Sequence, residues 1–191
     1  MQLPANMIAV PLVAQETNYS CGDASSLALL RFWHWDSYAR TPESDLYVPL
    51  QTSQKDGTEP QPIERYFNHV PGLSARYRTD ATLDDLEAAV GRRQPLIVDL
   101  QAWQDNARDW TTDWDDGHYV VLAGYDKDNL FLMDPSTENQ YAYIPKAEFM
   151  TRWHDTLGPQ NQKIQHMIIE VQGQGMPHES HDVPADAARM M

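Results

Sequence analysis

The chain has 191 residues, 41% of them hydrophobic and ten per cent aromatic, enough for one domain with a packed core. Its 28 acidic residues outnumber 14 basic ones, giving a formal charge of −14. That balance argues against a nucleic-acid partner, whose phosphates most of this surface would repel, and suits cationic ligands. One cysteine excludes an internal disulfide and a cysteine-based zinc site. The first residues, Met1 to Pro11, lack the basic and apolar segments of a signal peptide, and no run of about 18 apolar residues predicts a membrane span. The expectation is a soluble, cytoplasmic protein.

In chain order, Ile8 to Val13 reads as a short extended segment interrupted by Pro11 and leading into the loop at Gln15. From Asp23 to about Trp35, Ala24, Leu27, Leu30 and Trp33 recur at three-to-four spacing and predict a mostly buried helix. Residues 36 to 62 carry five prolines and glycines among polar residues and predict a loop-rich excursion, with a short helix over Ile63 to Asn68. Thr82, with an acid three residues on and Gly91 at the far end, predicts a capped helix with Leu83, Leu86 and Val90 facing inward. Pro95 to Leu100 reads as a buried strand, and 103 to 117 as a polar loop with three tryptophans and five aspartates. His118 to Tyr125 and Leu130 to Asp134 flank the turn Asp126-Lys127-Asp128-Asn129 and predict a hairpin. A short strand at Tyr141 to Ile144, a helix from Pro145 to Trp153 and a last strand at Ile164 to Val171 follow. Residues 1–171 are expected to form one domain, and 172–191 a tail without fixed structure. Helices first and strands later make this an α+β pattern on an antiparallel sheet.

Cys21 stands just before the first long helix, where a thiol faces the positive end of the backbone dipole, a setting that favours thiolate. Gln15, six positions upstream, carries an amide that can donate to an oxyanion beside the Cys21 N–H. A lone cysteine is more often a small buried hydrophobe, and on Cys21 alone that reading is the favoured one. The hairpin bears on the choice: His118 starts one arm and Asp134 ends the other, so antiparallel pairing brings both to one end of the sheet. A histidine there can take the thiol proton while a carboxylate holds its other nitrogen. The arms are unequal, so a bulge or wide loop has to absorb the difference. With three residues in these positions, coincidence becomes the weaker account. Asp113, Asp115, Asp116 and His118 form a weaker metal candidate, since clustered loop carboxylates are usually just solvated.

These segments together, Gln15 with five residues before Cys21-Gly22, then Ala24 on a helix, Gly117-His118-Tyr119 running to Gly124-Tyr125-Asp126, Leu130 to Asp134-Pro135, and Phe149 with Trp153, resemble the bacterial double-glycine leader peptidases (cysteine peptidase family thirty-nine) and their stand-alone relatives in the papain-like clan. The similarity spans about residues 8 to 171 and has least support between 36 and 80. It implies a papain-like α+β fold, with the Cys21 helix packed on an antiparallel sheet. It implies Cys21 as nucleophile, His118 as general base and acid, Asp134 as orienter and Gln15 as oxyanion donor. The implied reaction is peptide hydrolysis through a thioester on a peptide or protein substrate, with no cofactor and no metal. Two other readings keep this framework: an acyltransferase of the transglutaminase or phytochelatin-synthase kind with the same triad, and an inactive fold that binds a cationic peptide. Leader-processing relatives are usually fused to a transporter, of which this sequence carries neither span nor nucleotide motif.

Overall fold

The computed structural model describes residues 1–103 and 109–190. Ile8, Val10 and Val13 are buried, and the Ile8 N–H donates to the Ala123 carbonyl at 2.7 Å, so the extended segment lies along the strand that carries His118. Helix α1 (Cys21–Trp33) begins two residues earlier than its apolar spacing indicates. It buries Leu27, Leu29, Leu30 and Phe32 almost completely, each such side chain contributing roughly 1.5–3 kcal/mol relative to exposure. A single turn of helix, α2 (Trp35–Tyr38), and a 3-10 turn (Glu43–Leu46) punctuate the excursion that follows. Helix α3 (Pro60–His69) starts at proline, whose missing N–H costs nothing in a first turn.

Strand β1 (Leu73–Arg78) was not expected; Leu-Ser-Ala-Arg-Tyr-Arg does alternate apolar with polar residues, but the alternation is short and only Leu73 of it is buried. Helix α4 (Leu83–Gly91) has the full reciprocal cap: Thr82 Oγ1 accepts from the Asp85 N–H while the Asp85 carboxylate accepts from the Thr82 N–H. Then come β2 (Leu96–Gln101), β3 (Gly117–Tyr125), β4 (Asn129–Met133), β5 (Tyr141–Pro145) and α5 (Lys146–Arg152). The single last strand expected at Ile164 to Val171 is instead two. His166 takes a left-handed backbone conformation (φ 55°) and separates β7 (Gln162–Gln165) from β8 (Ile168–Gly173). β7 pairs with β6 (His154–Leu157) as a separate two-stranded ribbon.

The tail is tied back rather than loose. β9 (Ala187–Arg189) pairs with β5, and Ala187 and Met190 are buried, two apolar anchors hidden in an otherwise polar stretch. The main sheet runs β1-β8-β2-β3-β4-β5-β9, antiparallel throughout except for the β5–β9 pair. No helix among the described residues is long and apolar enough to cross a membrane.

Candidate active site

Cys21 is the first residue of α1 and half-buried. Its sulfur accepts from the Tyr119 N–H of β3 at 3.5 Å, and four residues along the helix Ser25 Oγ donates to the Tyr119 carbonyl at 3.1 Å. The helix start is thus pinned to one residue of the strand that bears His118. Gly22 permits the approach: a methyl group there would lie 2.9 Å from Thr58 Cβ and 3.4 Å from the Tyr119 ring. Asp23, buried in the same turn, accepts hydrogen bonds from Thr52 and Thr58 and so fastens the 52–58 loop over the helix end.

His118 and Asp134 meet as the hairpin requires. Val121 pairs with Met133 and Leu122 with Leu132, but the next pair is Gly124 with Phe131, so Ala123 is the extra residue of a β-bulge. One further step of that register sets Asp134 opposite Val120, on the face of β3 that also carries His118. Without the bulge, Asp134 would stand opposite Val121 and point to the other face. The inequality of the two arms therefore has its explanation in one residue, whose freed carbonyl is taken by Ile8.

His118 Nε2 lies 2.8 Å from Asp134 Oδ1, and both residues are almost wholly buried. The other ring nitrogen, Nδ1, is buried with no partner elsewhere and is the one left for Cys21. Burial disfavours a charged imidazole, yet hydrogen bonds to Asp134 and Cys21 and the charges of the same two groups outweigh it and raise His118 to about 9. Asp134 is shifted in the complementary sense. Burial alone would raise it, but His118 and the hydroxyl and N–H of Ser136, both at 2.8 Å, hold it below the usual carboxylate range. Both shifts favour an imidazolium against a carboxylate. Trp103 covers the imidazole, with ring centroids 4.7 Å apart.

Gln15 is placed by a hydrogen bond from its N–H to the Pro135 carbonyl, the residue after Asp134. Its side-chain nitrogen donates to the Thr17 carbonyl at 2.6 Å, and its amide oxygen is buried without a donor. Cys21 opens into a cleft of about 630 Å³. Of the aspartate-rich loop, Trp103, Trp114, Asp115 and Gly117 line this cleft, while residues 104–108 lie outside the described part. Trp110 instead packs its ring on the buried Arg152 guanidinium, 4.0 Å away. Among the described residues no three metal-ligating side chains converge.

The family model for the Peptidase_C39 like family matches residues 7–160. The chain belongs to this family. The Peptidase_C39 like chain is also similar in fold to the peptidase domain of Streptococcus ComA, a bi-functional ABC transporter of a quorum-sensing pathway (TM-score 0.61, 19% identity, 86% of this chain and 99% of that one). A double glycine motif protease from an AMS/PCAT transporter, solved with its leader peptide, gives a TM-score of 0.55 at 20% identity over 91% of this chain and 99% of the other. No functionally curated protein matches the sequence. The fold is thus that of the C39 papain-like peptidase domains, as the Cys21, His118 and Asp134 motifs lead one to expect.

Two residues of this Peptidase_C39 like site escaped the sequence reading. Asp99, on β2 directly across from Tyr119, is buried to 1% exposure, and neither carboxyl oxygen has a well-formed hydrogen bond from an N–H or hydroxyl group. Its polar neighbour is Asp155 of β6, which lines the cleft and accepts from Gln101 Nε2 at 2.9 Å. Burial above all, then the Asp155 charge, push Asp99 well above the carboxylate range; burial raises Asp155 too, against hydrogen bonds from Asp99, the Thr156 backbone and Gln101. Both shifts favour the protonated form at this pair. A signal for Asp99 existed, since a carboxylate interrupts the apolar run Leu96-Ile97-Val98-Asp99-Leu100. Asp155, in Trp153-His154-Asp155-Thr156, had none.

Proposed function

We propose that the chain is a thiol-dependent peptide hydrolase in which Cys21 is the nucleophile, His118 the proton carrier, Asp134 its orienter and Gln15 an oxyanion donor. The observation that carries the reading is the His118 ring, clamped at Nε2 by Asp134 with Nδ1 left for the Cys21 sulfur at a helix N-terminus. The leader-peptide complex of the similar double glycine motif protease supports a peptide as the substrate class. The Cys21 thiolate attacks the carbonyl carbon, forming the C–S bond as the carbonyl oxygen takes the electron pair. The Cys21 N–H, unpaired in the first helical turn, and the second N–H of the Gln15 amide receive that oxyanion. Collapse breaks the C–N bond, and the His118 proton goes to the leaving amine. Neutral His118 then draws a proton from water as its oxygen attacks the thioester, releasing the acid and restoring thiolate and imidazolium.

Cys21→Ala and His118→Ala are each expected to abolish turnover of a fluorogenic peptide amide at unchanged circular dichroism. His118→Ala should also slow alkylation of Cys21 by iodoacetamide. Turnover surviving in both folded variants overturns the assignment.

A further inference from the structure

The cleft beside Cys21 holds carboxylates without counter-ions. Asp155 and Glu59 both line it, and among the described residues neither is paired with a cation. Glu59 accepts only the Gly158 N–H at 2.8 Å and Asp155 the contacts given above. The two lysines of the cleft are engaged elsewhere: Lys163 lies over the Trp114 ring, 4.2 Å from its centre, and Lys55 pairs with Asp56 at 3.2 Å. Behind Asp155 are the two Asp99 oxygens without a well-formed hydrogen bond and the buried Tyr119 hydroxyl, also without a partner; Tyr119 itself lines the cleft and is 6% exposed. Buried polar atoms left orphaned in this way call for an occupant that supplies what they lack. Of the acidic groups here Asp155 and Glu59 are the ones that face the cleft, and the groups that offer such carboxylates donors and charge without acceptors are ammonium and guanidinium.

Gly117 shows that room is kept for the Asp155 carboxylate. A methyl group on Gly117 would fall 2.1 Å from Asp155 Oδ2, so the glycine before His118 lets the carboxylate lie over the strand next to the catalytic histidine.

On the basis of the peptidase reading, we infer that the Asp155–Asp99 carboxyl pair, with Glu59 at the rim, is a specificity pocket for a lysine or arginine side chain of the substrate. The substrate cation sits against the Asp155 and Glu59 oxygens, which have no cation partner among the described residues, while the cleft has the volume for an extended side chain. The deep-lying charge partner makes the site selective rather than merely acidic, because a neutral side chain of the same length leaves those oxygens unpaired.

The test uses peptides identical except for one residue, Lys, Met or Glu, moved in turn through the positions flanking the scissile bond. Their binding to the Cys21→Ala protein is followed by fluorescence anisotropy and their cleavage by the unaltered protein by kcat/KM. At one position Lys is expected to exceed Met on the order of a hundredfold and Glu by more. Asp155→Asn should remove the difference between Lys and Met. Gly117→Ala, which displaces the carboxylate, should reduce it. Equal treatment of Lys and Met at every position overturns the inference, and that comparison needs no variant of Asp155 to fold. A Lys preference in binding with no cleavage of any peptide upholds the pocket and overturns the hydrolase reading. Cleavage with no preference does the reverse.

Discussion

His118 carries a sign that can be checked. Its pKa is raised from the usual 6.5 to about 9, so any stability it contributes through protonation is complete below 6.5 and lost as pH climbs through 9. In the proposed mechanism protonated His118 supplies the proton to the leaving amine, so kcat/KM is expected to fall above about pH 9. Asp134→Asn removes the carboxylate that sustains the shift and should move that alkaline limb toward 6.5, measurable in a pH–rate profile of either turnover or Cys21 alkylation. In the proposed mechanism Gln15 acts on the charge that develops at the carbonyl oxygen during attack. Gln15→Ala should therefore lower kcat on the order of a hundredfold with little change in KM, as loss of one oxyanion donor does. Gly22 answers to packing: Gly22→Ala drives a methyl into Thr58 and should destabilise the fold by about 1–3 kcal/mol in denaturant unfolding.

At the scale of elements, α4 isolates the worth of a local signal. Its cap is exposed and remote from Cys21, so Thr82→Ala is expected to cost about 1 kcal/mol in chemical denaturation and leave turnover unchanged. This helix was legible because everything that starts it lies within four consecutive residues. The hairpin was legible for a similar reason, with two apolar runs flanking an Asp126 turn whose carboxylate accepts from the Asp128 and Asn129 N–H groups. What escaped was set by partners distant in sequence. β1 carries only a short alternation with little apolar bulk, and it is held as an edge by β8 through a ladder from Leu73–Gly173 to Arg78–Ile168. The break between β7 and β8 rests on His166, whose N–H is taken by the Trp153 carbonyl. The same division holds at the site: Cys21, His118 and Asp134 announce themselves in local motifs, whereas Asp99 and Asp155 acquire meaning only when β2 and β6 are laid side by side.

On the scale of the whole molecule, the first residues of the chain act on the active site without touching it. Ile8 takes the Ala123 carbonyl, Asn6 Oδ1 accepts from the Tyr125 N–H at 3.2 Å, and Met7 packs where a side chain at Gly124 would stand. Together they brace the bulge. Removal of residues 1–8 is expected to lower turnover more than melting temperature, because the hairpin can then anneal one residue out of step while the core stays packed. The same bulge governs how the protein tolerates change. Ala123 bears no chemistry, and a small substitution there leaves the strand's count intact. Deleting it would only regularise the ladder, but inserting a residue between His118 and Leu122 reverses which side of the sheet His118 faces relative to Asp134. Such a variant would keep every catalytic residue in its sequence and be inert, so within this stretch the spacing of the chain is constrained as tightly as the histidine itself.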